Sequence, residues 1–272
     1  MNILSQHTIK YVLSLLSASM VVLSFLLSFS AHSDEKASAS ITKAQPVKFK
    51  ARTDDNFLLA GDYYIGEKKS GGVIVLHDCK SDRSRYRLLA NALSQQGLHT
   101  LALDLRGYGD SVSPAYSRAN IKKRAKSIVE YQSEMALLTS YWQEDLISAY
   151  QYLQTKVDPS KGIAIVTSGC SSAYGIELAE KILLNSIVMI TPRVTYADKE
   201  RYKNLIDIPS YFITSSLHSN SYLSAQDLFA WNGSKKSKMQ IFKGERYNYS
   251  LVMSKKTLVG DIAHWVQFNV SK

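Results

Sequence analysis

The chain has 272 residues, 45% of them hydrophobic, and a formal net charge of +10. That length and apolar content suit one α/β domain with a large core and argue against two small domains. Two cysteines and few histidines supply no zinc-ligand spacing. No cofactor is expected, and the basic charge comes without a recognised RNA- or DNA-binding motif, so neither is a nucleic-acid partner.

Residues 1–33 read as a secretory signal. Lys10 precedes an uncharged apolar and serine stretch, 11–30, and Ala31-His32-Ser33 offers small residues before a cut at Asp34. Cleavage predicts a secreted or periplasmic protein of net charge +9, because Lys10 is the only charge removed. Left uncut, residues 11–30 are long enough to anchor the chain in a membrane, and membrane association is expected in that case alone. A polar linker follows over 34–46, and the domain itself is expected over 47–272.

Residues 47–50 and 57–64 read as paired edge strands, 73–77 as a buried strand, 86–95 as a helix and 100–105 as a strand. Residues 111–137 look less regular. A helix around 143–154 stops before Asp158-Pro159. The strand 163–166 then runs through small residues into a helix-forming segment, 173–179. Strands at 187–191, 211–214 and 239–242 and a helix over 258–268 complete the pattern. Short apolar runs separated by helical segments imply a mostly parallel sheet with helices on both faces.

Three segments carry a resemblance: VIVLHD (73–78), LALDLRGYGDS (101–111) and IAIVTSGCSSAYGIELA (163–179). Together with the element order they resemble the α/β-hydrolase superfamily, in particular its dienelactone-hydrolase-like and small serine-esterase branches, over about residues 47–270. The resemblance implies the α/β-hydrolase fold and a triad in the order Ser, acid, His, with the nucleophile on a strained strand-to-helix elbow. Counting three from Val166 puts Gly169 at the nucleophile position. The acid position falls on His218 and the histidine position on Tyr247. Glycine has nothing to attack with, and a tyrosine with a pKa near 10 is a poor base. The implied protein is exported and catalytically inactive, acting by binding a small molecule or an envelope partner.

A shifted alignment stays open. Gly169-Cys170-Ser171-Ser172-Ala173 is itself G-x-S-x-A, which would make Ser171 the nucleophile of a serine hydrolase or esterase with His218 as base and Asp198 or Asp227 as acid. It requires the strand to continue through Thr167-Ser168 and puts the helix residues two places out of the usual spacing.

In the family, two oxyanion N–H groups come from the residue after the nucleophile and from a residue just past the strand-His-Gly motif. Cys170 and Cys79 fall at those places, so the resemblance implies a Cys79–Cys170 disulfide, contributing on the order of 4–5 kcal/mol by loop entropy. Two inert buried thiols, or Cys170 as a thiol nucleophile, are the alternatives. Asp78 either orders the oxyanion loop through hydrogen bonds or is a solvated loop carboxylate; Asp104 and Arg106 read as turn braces, Trp142 as core and His264 as structural. Tyr174, Tyr196, Tyr247 and Tyr249 are candidates for an aromatic cleft. The densest charge, Lys122-Lys123-Arg124 with Lys126, is either a basic loop over the site or an exposed helix face, and is the candidate contact for an anionic surface.

Overall fold

A computed structural model describes residues 43–255 and 257–270. The signal and all but the last residues of the linker lie outside them. Eight strands form one sheet: β1 (Gln45–Lys50), β2 (Leu58–Tyr64), β3 (Gly72–Leu76), β4 (His99–Leu103), β5 (Ile163–Ser168), β6 (Ser186–Ile190), β7 (Ser210–Ser215) and β8 (Lys238–Phe242). Their order is β1-β2-β4-β3-β5-β6-β7-β8. β2 pairs antiparallel with β1 and β4, and every other pairing is parallel.

The central strands are short and apolar on both sides, as a sheet covered on two faces requires. Alternation sorts them into two cores. Ile74, Leu76, Ile165, Ile187 and Met189 join one. It is covered by α4 (Trp142–Gln154), α5 (Ser171–Lys181), α6 (Tyr196–Tyr202) and α7 (Ser219–Trp231). Val73, Val75, Val166, Val188 and Ile190 join the other. There the cover is α1 (Arg87–Gln95), α8 (Asn248–Ser254) and α9 (Leu258–Val270).

Residues 111–137 are more regular than their sequence suggests. They contain α2 (Arg118–Arg124) and most of α3 (Ile128–Ser140), each capped by a serine whose hydroxyl accepts a backbone N–H, Ser117 from Asn120 and Ser127 from Glu130. Helices α6, α7 and α8 also lie in stretches for which no element was expected. No helix among the described residues is long and apolar enough to cross a membrane.

Candidate functional site

The loops leaving the C-terminal ends of β3, β5, β6, β7 and β8 enclose a pocket of about 220 Å³. Its floor is the turn between β5 and α5. There Gly169 takes φ +56°, a left-handed conformation that glycine adopts without steric cost. The turn is pinned to the β6 strand and its loop: Gly169 N donates to Ile190 O at 2.9 Å, and Arg193 N donates to Gly169 O at 3.0 Å.

Opposite the turn stands Asn248, the first residue of α8. A Cβ on Gly169 would lie 2.9 Å from Asn248 Oδ1 and 3.0 Å from its Nδ2. Asn248 has φ +50° and Thr191, at the end of β6, has φ +45°. A β-branched residue there is strained and persists only where its surroundings over-determine it. They do so here. Thr191 Oγ1 donates to Asn248 Oδ1 at 2.6 Å and accepts from Asn248 N at 2.9 Å, while Thr191 N donates to Ile213 O at 2.6 Å.

Cys79 and Cys170 stand at disulfide-bonding distance, with Cα atoms 5.9 Å apart, so the loops after β3 and β5 are tied across the pocket. Beside them Asp78 is buried rather than solvated. It accepts from Lys80 N at 2.8 Å, Ser81 Oγ at 3.0 Å and Tyr86 OH at 3.0 Å. Tyr86 OH also meets Ser168 Oγ at 2.6 Å; burial, with the Asp78 charge behind it, pushes this phenol well above its ordinary pKa. His77 is fully buried. Its Nε2 accepts from Leu105 N at 3.0 Å and its Nδ1 donates to the Asp78 carbonyl at 2.7 Å. Burial lowers its pKa below the ordinary 6.5.

His218 and Tyr247, the two other residues expected at triad positions, also line the pocket. Their rings stack at 4.8 Å, and Lys80 Nζ donates to Tyr247 OH at 3.2 Å. His218 Nδ1 lies 2.6 Å from Ser221 Oγ, and burial, then the Lys80 charge, lower its pKa. The side chain that a Cβ on Gly169 would meet first is Asn248, one place beyond Tyr247. Sequence spacing missed it. An asparagine directly after the Gly-Glu-Arg-Tyr turn signals a left-handed backbone position, and does not by itself signal contact with Gly169.

β5 does continue through Thr167 and Ser168, as the shifted alignment requires. Ser171 nonetheless has no exposed surface. Its Oγ donates to Ser168 O at 3.0 Å and accepts from Ser168 N at 2.9 Å. No hydrogen bond joins it to His218 among the described residues. Asp198 is engaged in the capping box of α6, accepting from Thr195 N and Thr195 Oγ1, both at 2.7 Å. Asp227 pairs with Lys199 at 2.7 Å.

The four tyrosines form no common cleft. Tyr174 packs on Trp142 at 4.7 Å, Tyr249 faces Tyr86 at 6.0 Å, and Tyr196 is exposed, leaving Tyr247 alone at the pocket. Arg106 and Asp104 brace the turn after β4, Arg106 through Asp145 and Asp55 and Asp104 through Arg83 and the Asp110 N–H. His264 lies on the exposed side of α9, its Nδ1 2.9 Å from Gly260 O. Lys122, Lys123 and Arg124 belong to exposed α2, and with Lys126 they lie outside the pocket lining.

No protein-family model matches the chain, and no curated protein matches it by sequence. Solved structures do. The chain is similar to an esterase from Pyrococcus furiosus at 15% identity and TM-score 0.61, over 85% of this chain and 92% of that one. It is similar to a dienelactone hydrolase from Anabaena variabilis at 14% and 0.55, over 84% and 100%. A carboxyl esterase from Bacillus coagulans matches at 10% and 0.61, over 83% and 98%. At such identities the likeness is one of fold.

Proposed function

We propose that this chain, which has the α/β-hydrolase fold, is an exported protein whose elbow pocket binds a ligand and performs no acyl transfer. The observation that carries the reading is Gly169 at the apex of the elbow with the Asn248 carboxamide against it. Serine-type acyl transfer needs a hydroxyl at that apex and a base within hydrogen-bond reach of it. Here the apex has no side chain, and the nearest functional group is a neutral amide already bonded to Thr191. The pocket keeps groups suited to holding a small anionic or polar molecule: Lys80, Arg193, His218 and Asn248. Export is supported by the signal pattern of residues 1–33 and by a cysteine pair at bonding distance, which suits an oxidising compartment.

The second reading, a serine hydrolase using Ser171 with His218, is favoured by the extent of β5 and opposed by the burial of Ser171 and its two bonds to Ser168. A fluorophosphonate probe and an aryl-ester assay separate the two. The parent protein and Ser171→Ala are expected to remain unlabelled and to share the same background turnover, about 10⁶-fold below that of an intact triad. Labelling at Ser171, with turnover lost in Ser171→Ala, overturns the binding reading.

A further inference from the structure

Helices α2 and α3 form a projection whose outer surface the pocket does not use. Ile121 and Leu138, both buried, fix the pair to the domain, and the Arg118 guanidinium sits 5.7 Å from the centre of the Tyr108 ring. Outside these anchors α3 presents an uncharged face. Ile128, Val129, Gln132, Ala136 and Leu137 are exposed at helical spacing, with Ile128 at 68%, Val129 at 66% and Leu137 at 61% exposure.

The acidic groups of α3 do not interrupt that face, because they turn back on their own segment. Glu134 pairs with Arg124, and Glu130 accepts from Lys126 N at 2.7 Å. Lys122, Lys123 and Lys126 are exposed, and their ammonium groups form no ion pair among the described residues. Three free cations therefore stand beside an apolar patch led by Ile128 and Val129. A soluble polyanion satisfies only the charge. An anionic bilayer interface offers phosphates to the lysines and acyl chains to the apolar side chains within one shallow layer.

We propose that the α2–α3 projection docks the protein on an anionic phospholipid bilayer, Lys122, Lys123 and Lys126 meeting the headgroups while Ile128 and Val129 enter the interface. This goes beyond the pocket reading and does not depend on it.

The test is sedimentation of the full chain with phosphatidylcholine vesicles, with and without an equal part of phosphatidylglycerol. It compares the parent, Lys122→Gln/Lys123→Gln/Lys126→Gln, and Ile128→Ser/Val129→Ser. All three share the same N-terminal segment, so differences between them report on the projection. Unchanged circular dichroism and thermal midpoints establish that these exposed substitutions leave the fold intact. The lysine variant is expected to lose about a hundredfold in partition to the anionic vesicles and nothing on the neutral ones. The apolar variant is expected to lose about tenfold, and parent binding falls with added salt. Equal binding by all three proteins overturns the proposal. A loss confined to the apolar variant overturns the anionic preference. A loss confined to the lysine variant, matched by weaker binding to soluble polyphosphate, also overturns it, because the surface then reads charge without a bilayer.

Discussion

The carboxamide of Asn248 lies against Gly169, its Oδ1 2.9 Å from the place a Cβ would take. These residues are far apart in the chain and meet because the loops after β5 and β8 converge over the same edge of the sheet. The amide is fixed by Thr191 on a third loop. The apex is therefore filled from outside and is not a vacancy awaiting a side chain.

Gly169→Ser tests this packing. The serine meets a strained φ of +56° and a contact below van der Waals distance, and is expected to cost about 1–3 kcal/mol of stability without creating esterase activity. In a double-mutant cycle with Asn248→Ala, measured by urea unfolding, the two changes should couple by about 0.5–3 kcal/mol. A serine variant as stable as the parent contradicts the account.

The cysteine pair closes a loop with a sequence separation of 91. Cys79→Ser/Cys170→Ser, or reduction of the parent, is expected to lower stability by about 4–5 kcal/mol. Denaturant titrations with and without a thiol reductant measure this. No effect of reductant on the parent would show that the bond is absent or without weight.

Acid should weaken the fold through its buried histidines. His77 is neutral in the native state because burial depresses its pKa, although the Asp78 carbonyl and the Asp104, Asp78 and Asp82 charges oppose the shift. The unfolded chain binds a proton on this histidine near 6.5 and the folded chain does so only at lower pH. Stability is therefore full above about pH 6.5 and falls as pH drops below it, by up to about 1.4 kcal/mol per pH unit for each such histidine. His99 and His218 are shifted the same way. Unfolding curves from pH 7 to 5 should show the decline, and His77→Gln should make it shallower. Asp145, raised by burial to about 6, takes up a proton in the folded state over the same range and opposes the decline, so the deciding comparison is His77→Gln with the parent: equal slopes contradict the assignment.

Arg106 holds the turn after β4 through Asp145 and Asp55. It is fully buried, with Nε 3.0 Å and Nη2 2.7 Å from the two Asp145 oxygens, and lies over the Phe57 ring at 4.2 Å. Arg106→Met leaves Asp145 buried without its cation and is expected to cost about 3–5 kcal/mol. Arg106→Lys keeps the charge but not the two-pronged geometry, and should recover part of the loss. Arg106→Met combined with Asp145→Leu should cost less than Arg106→Met alone. Thermal unfolding of the three variants gives the ranking.

The alternation of strands and helices was legible because Val73–Leu76 and Ile187–Ile190 are uninterrupted apolar runs, which a sheet covered on both faces imposes. The end of β5 was misread at Val166, because Thr167 and Ser168 look like a loop. Inside the sheet their hydroxyls are satisfied, Thr167 by Val188 O and Ser168 by Tyr86, so they remain strand. Helix α3 was hidden because its outward face is as apolar as its inward one, which erases the amphipathic period. The Gly169–Asn248 contact lay beyond reach for another reason. It depends on how two distant loops converge, which no local pattern encodes.

Strand order also sets a timetable for the newborn chain. β3 finds β4 soon after synthesis, but its other edge belongs to β5, and Cys79 waits for a partner 91 positions later. At ribosomal speeds that wait is on the order of ten seconds. Throughout it, a bare apolar strand edge and a free thiol are open to wrong neighbours. The β3–β5 edge cannot close before β5 has been made, nor the cysteine pair before residue 170.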